Sequence, residues 1–77
     1  MDRNTFALEL KALIEKQEDI KIENYDQELD IDSYCMMLII TFVDEKLGVS
    51  LDMDVLDFDD FKSINTLLDL IPEALPA

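Results

Sequence analysis

No histidine and no tryptophan occur in this chain of 77 residues, and one cysteine, one glycine and six basic residues stand against nineteen acidic ones. The missing histidine removes the commonest general base and the commonest metal ligand. Cys35, being alone, can close no intramolecular disulfide and cannot build a cysteine zinc site. The shortage of cations leaves a formal net charge of −13. That charge repels phosphate backbones and excludes direct nucleic-acid binding, while favouring basic protein surfaces as partners. Long hydrophobic runs are also missing. The longest nearly apolar stretch, Tyr34 to Val43, falls well short of the ~18 residues that a membrane span needs. The start, Met-Asp-Arg-Asn-Thr, lacks the basic-then-apolar pattern of a signal peptide. A soluble cytoplasmic protein acting as a monomer, away from membranes, is the expectation.

What is present suits one small domain over residues 1–77. Hydrophobic residues make up 49% of the chain, too many for simple disorder, although a domain this short buries a thin core. Phe6, Leu10, Leu13 and Ile14 recur at helical spacing and predict a first helix from about Thr5 to Gln17, capped by Asn4 or Thr5. From Glu18 to Asp32 acids crowd the chain and the period is lost. This reads as a long ordered loop pinned by Ile20, Ile22, Tyr25, Leu29 and Ile31, and long ordered loops tend to be functional.

A second helix is predicted from Ser33 to Leu47, ended by Gly48 in a left-handed conformation, with Lys46 against the negative end of the dipole. At about 100° per residue, Met36, Ile39, Ile40, Val43 and Leu47 share an inward face. Tyr34, Leu38 and Glu45 point the opposite way, with Thr41 nearby and Met37 on the flank. After an acidic loop from Val49 to Asp57 come a short helical turn around Asp59 to Lys62 and a last helix from Ile64 to about Ile71. Ser63 caps that helix, Leu67, Leu68 and Ile71 face inward, and Pro72 is expected to kink or end it. No strand alternation, hairpin signal or repeat is present, so the fold class is all-α: three main helices plus one short one.

The pair Asp32-Ser33 at the head of the second helix carries the chemistry. In one reading Ser33 is only an N-cap, although Met36 stands where a reciprocal capping box would want Glu or Gln. In the other, Ser33 is a modified residue. A phosphodiester on its hydroxyl would sit at the positive end of the helix dipole beside unpaired amides, with Asp32 helping to hold a divalent ion during modification. The acids Asp52, Asp54, Asp57, Asp59 and Asp60 do not form a calcium loop. Counted from Asp52, position 6 is Asp57 where glycine is needed, and position 12 is Ser63 where glutamate is needed. Cys35 has no basic neighbour in sequence to activate it as a nucleophile and reads as a small flank residue. Met36 reads as core. The carboxylates are too numerous to single out an acid/base couple, and no metal site is expected.

The arrangement resembles the carrier proteins that bear 4′-phosphopantetheine, meaning acyl carrier proteins and their peptidyl, aryl and D-alanyl relatives. The resemblance runs along essentially the whole chain. It rests on the first helix, the long loop, Leu29-Asp30-Ile31-Asp32-Ser33, the second helix ending Lys46-Leu47-Gly48-Val49, and Leu56-Asp57-Phe58-Asp59-Asp60-Phe61-Lys62-Ser63-Ile64. It implies an acyl-carrier-like four-helix bundle of the free-standing type, with 4′-phosphopantetheine attached to Ser33 and Asp32 supporting the modification. It implies a non-catalytic protein served by a phosphopantetheinyl transferase, a cargo-loading ligase or acyltransferase, and downstream biosynthetic enzymes docking along the second helix.

Departures from the family pattern bear on that docking. Asp30 stands where glycine is common, Tyr34 where leucine or isoleucine follows the serine, and Cys35 and Leu38 where fatty-acid carriers place acids. Docking is therefore expected through Tyr34, Met37, Leu38, Thr41 and Glu45, with apolar contact at the centre and flanking charge from Asp44, Glu45 and the Asp52–Asp60 segment. This points to a dedicated polyketide, nonribosomal-peptide or aminoacyl-transfer pathway. The rival reading is a small acidic interaction module, such as an inhibitor or a mimic of nucleic-acid charge, with Ser33 only a helix cap.

Overall fold

Asp2, rather than Asn4 or Thr5, opens the first helix. Its backbone is extended (φ −82°, ψ 164°) and its carboxylate accepts the Thr5 amide at 2.7 Å, so α1 spans Arg3–Glu18. Hydrogen bonds from the first turn hold the Asp2 carboxyl below its ordinary range. The computed structural model describes residues 2–52, 54 and 56–71. Among them the elements are α1, α2 (Ser33–Leu47), a 3₁₀ turn (Phe58–Phe61) and α3 (Ile64–Asp69), with no strand. None of the described helices is long and apolar enough to cross a membrane.

α1 ends one residue later than its apolar pattern implies, because Asp19 adopts a left-handed conformation (φ 54°). Short polar side chains tolerate that region better than most. Glu15 then anchors the departing chain twice: its carbonyl accepts from Ile20 at 3.2 Å and its carboxylate from the Ile22 amide at 2.8 Å. Of the five expected loop anchors, Ile22, Leu29 and Ile31 are buried and Tyr25 packs half-buried against the core, but Ile20 is 39% exposed. Ile20 lies where the Asp19 turn has already carried the chain off α1, so its side chain stays outside.

α2 has the bounds read from the sequence, and Gly48 closes it with φ 70° and its amide bonded to the Asp44 carbonyl at 2.9 Å. Met36, Ile39 and Val43 are buried, with Ile40 and Leu47 partly buried against them. The two long helices are antiparallel. Phe6 stacks on Phe42 (centroids 5.2 Å apart) and Glu9 meets Lys46 at 3.9 Å near one end, while Glu18 lies beside Cys35 at the other. Lys46 also sits 6.0 Å from the Phe42 ring, within cation–π range. Glu9 Oε2 is buried without a hydrogen bond, leaving the Lys46 ammonium as the nearby compensating charge.

The short turn is shifted to Phe58–Phe61 and α3 ends at Asp69, though Ile71 beyond it is still buried. Pro72, expected to kink or end the last helix, lies outside the described residues. Two reciprocal caps in succession shape this region. Asp57 and Asp60 cap the 3₁₀ turn, and Ser63 and Thr66 cap α3. Each satisfies amides that a helix start would otherwise leave open. Phe61, Ile64, Leu67 and Leu68 fill the core beneath.

The inward assignment of α2 can be checked directly. Ile39→Ala, at a fully buried position, is expected to lower unfolding free energy by about 2–5 kcal/mol. Thr41→Ala on the exposed side should change it by no more than about 0.5 kcal/mol. Equal denaturant midpoints for the two variants would refute the assignment.

Candidate functional site

The segment that delivers Ser33 alternates its side chains between core and solvent, as extended backbone does. Leu29 and Ile31 turn into the core, while Asp30 and Asp32 face solvent. The Leu29 amide donates to the Lys62 carbonyl at 2.6 Å, fastening this segment to the end of the 3₁₀ turn. Further back, the Asn65 amide donates to the Tyr25 carbonyl at 3.0 Å and the Asn65 side chain to the Asp26 carboxylate, so the middle of the loop is tied to α3. The loop arrives at α2 held by side-chain burial and by backbone bonds to a different part of the chain.

Asp32, not Ser33, is the N-cap of α2. Its backbone is extended (φ −92°, ψ 177°), its Oδ1 accepts the Cys35 amide at 2.9 Å, and its carbonyl accepts the Met36 amide at 3.1 Å. Ser33 is therefore the first helical residue and its hydroxyl does no capping work. The side chain is exposed, and among the described residues Ser33 Oγ has no hydrogen-bond partner. Among the described residues the amides of Ser33 and Tyr34 likewise have no acceptor, as expected for the first turn of a helix. The combination is a solvent-facing hydroxyl next to two open N–H donors at the positive end of a 15-residue helix.

Cys35 corrects the sequence reading most sharply. Expected on the flank, it is fully buried, and burial pushes its thiol up to about 12, with Glu18 and then Asp32 adding to the rise. It closes the core directly behind Ser33. The position cannot serve as an outward contact, so no acid is missing there from an exposed row.

The expected docking residues divide. Tyr34 is 61% exposed and Met37 56%, and Thr41 and Glu45 are exposed as well. Leu38 is only half-buried rather than outward. The outward stripe is thus Tyr34, Met37, Thr41 and Glu45, with Leu38 at its edge. Phe58, which the sequence reading did not single out, is 70% exposed. No sequence signal separates it from Phe61, which lies in the same run of acids and is buried.

An open cleft of about 470 Å³ is lined by residues including Asp2, Arg3, Tyr25 and Asn65. It lies at the N-terminal end of α1, which pairs with the far end of α2 from Ser33, and so takes no part in this site. Among the described residues no group of three or more acidic or cysteine side chains is arranged to hold a metal ion. Comparison with known proteins finds no matching family model, no similar curated protein and no similar solved structure.

The burial of Cys35 has a direct readout. In the native protein at pH 8 a thiol-reactive aromatic disulfide is expected to leave it unlabelled, with full labelling once denaturant unfolds the chain. Because the folded value lies above the ordinary 9.0, the unfolded thiol ionises first. The contribution of Cys35 to stability is complete below pH 9 and is lost as pH rises from there towards 12. Rapid labelling of the native protein would contradict the placement.

Proposed function

We propose that this chain is a phosphopantetheine-bearing carrier protein of the four-helix acyl-carrier type, with Ser33 as the attachment point. It would hold an acyl or aminoacyl cargo for a dedicated biosynthetic pathway and catalyse nothing itself. The observation that carries the reading is the division of labour at the head of α2: Asp32 caps the helix, and the Ser33 hydroxyl is left exposed and unbonded. A serine kept only as a cap would be expected to make the capping bond. Here its neighbour makes it, which weighs against the rival interaction module with Ser33 as a cap.

The residues present fit the group. Modification requires that Ser33 Oγ bond to the phosphorus of the pantetheine phosphate of coenzyme A. The pyrophosphate P–O bond breaks, adenosine 3′,5′-bisphosphate leaves, and the hydroxyl proton passes to a base on the transferase. The open amides of Ser33 and Tyr34 lie on the side of the helix dipole that favours the resulting phosphodiester. Asp32 keeps one carboxylate oxygen on the Cys35 amide and has its other oxygen for a magnesium ion brought by the transferase. When attached, the group supplies a terminal thiol on which cargo is carried as a thioester.

The acidic surface and the outward stripe supply the partner side of the reading. Four of the six basic residues form ion pairs with acids among the described residues. The surface that meets a partner is therefore strongly negative, and a transferase, loading ligase or acyltransferase with a basic rim would be drawn to it. Tyr34, Met37 and Thr41 are the side chains such an enzyme would touch first beyond Ser33, with Leu38 and Glu45 at the edges.

The test is a mass measurement. Incubation with coenzyme A, magnesium and a promiscuous phosphopantetheinyl transferase is expected to add the mass of one phosphopantetheine to the intact protein and nothing to Ser33→Ala. Failure of the wild-type chain to gain mass with an active transferase would refute the carrier reading. In the same assay Met37→Glu, at an exposed position, should melt like wild type yet be modified more slowly, by roughly fivefold or more if Met37 is a true interface anchor. An unchanged rate would remove Met37 from the docking surface.

A further inference from the structure

We infer that Phe58 is a second anchor for the enzyme that engages Ser33, received by an apolar pocket edged with lysine or arginine; the inference rests on the carrier reading. Phe58 is the most exposed large hydrophobic side chain described in the molecule, at 70%. Its companion in the same 3₁₀ turn, Phe61, is buried, so the turn meets its share of core packing without Phe58.

The exposed ring sits on a fixed backbone. Asp57 Oδ1 accepts the amides of Asp59 at 3.0 Å and Asp60 at 3.3 Å, and Asp60 Oδ2 accepts the Asp57 amide at 3.1 Å. At the far end of the turn the Lys62 carbonyl takes the Leu29 amide from the segment that leads into Ser33. The base of the ring is therefore held before any partner arrives, and a pre-ordered aromatic loses little freedom on binding. Aromatic side chains are enriched at the centres of protein interfaces.

Charge selects the occupant. Asp57 and Asp59 flank Phe58 and are exposed, with Asp52 and Asp54 upstream also exposed. A second copy of a chain carrying −13 charges would bring like charges together around the ring, and an anionic membrane would do the same. A protein pocket with an apolar floor and a basic rim satisfies both the ring and its neighbours.

The experiment is steady-state kinetics with a promiscuous phosphopantetheinyl transferase, coenzyme A and magnesium, titrating the carrier chain as substrate. Phe58→Ala is expected to raise KM about fivefold or more, the loss typical of an interface anchor, with kcat within about twofold. Phe58→Leu should restore most of the affinity, and Leu8→Ala, which removes another exposed apolar side chain, should match wild type. Thermal melts of all three variants at wild-type values exclude a folding effect. A Phe58→Ala KM equal to wild type overturns the inference while leaving the carrier reading intact. Wild-type chain that accepts no phosphopantetheine removes both. Concentration-dependent dimerisation abolished by Phe58→Ala assigns the ring to self-association and also overturns it.

Discussion

A single carboxylate sets the geometry at the head of α2. Asp32 accepts the Cys35 amide at 2.9 Å, a bond of the kind whose loss typically costs about 1 kcal/mol. Its larger effect is positional. Because the cap falls on Asp32, the helix begins one residue later, at Ser33, and that hydroxyl is released from local duty. Behind it Cys35 and Met36 are buried, and ahead of it Ile31 is buried. The exposed pair Asp32-Ser33 is thus gripped on both sides by core residues, which makes an accessible hydroxyl compatible with a well-defined backbone.

The same economy runs through the long loop. A segment so rich in acid has few apolar side chains to spend on folding, and Ile20 is not among those that contribute. Its order comes from three buried aliphatic residues and from backbone bonds to other parts of the chain: the Ile22 amide donates to Glu15, the Leu29 amide to the Lys62 carbonyl, and the Tyr25 carbonyl accepts from the Asn65 amide of α3. A buried amide left without an acceptor is costly, so these bonds hold the loop where hydrophobic burial alone would be thin. They also connect the approach to Ser33 with the 3₁₀ turn, so the exposed features of both belong to one continuous framework.

Much of this architecture was legible in the residues. The bounds of α2 follow from Asp32-Ser33 and Gly48, two strong helix signals, and the inward face of α2 follows from its period. Ser63 as the cap of the last helix was equally readable. The failures share a cause, which is that local pattern carries no information about what packs on the other side. Asp2 outcompeted Asn4 and Thr5 because its extended backbone lets the carboxylate reach the Thr5 amide. Cys35 was read as a small flank residue from its sequence neighbours, yet it is fully buried, with Glu18 of α1 beside it. Leu38 is partly covered for a reason of the same kind, its helical angle being silent about neighbouring segments. Phe58 shows the opposite error, an aromatic that pattern reading passes over and tertiary packing leaves outside.

The net charge and the exposed side chains then act at different ranges. At physiological ionic strength charge is screened beyond about 8 Å, so in the proposed docking the acids would act mainly on approach and orientation. Grip in the proposed complex would have to come from desolvated contacts, and the outward side of α2 offers Tyr34 and Met37 for them. On the proposed reading, a surface that attracts through charge but holds through an aromatic and a methionine would discriminate among basic partners, since a matching apolar pocket is a further requirement beside the lysines. Burial of Cys35 sharpens this, because the outer face of the first turn then consists of Ser33, Tyr34 and Met37. An enzyme that modified the hydroxyl as proposed would have to meet the other two, so on that reading the chemistry at Ser33 and the choice of partner would be set by the same turn of helix.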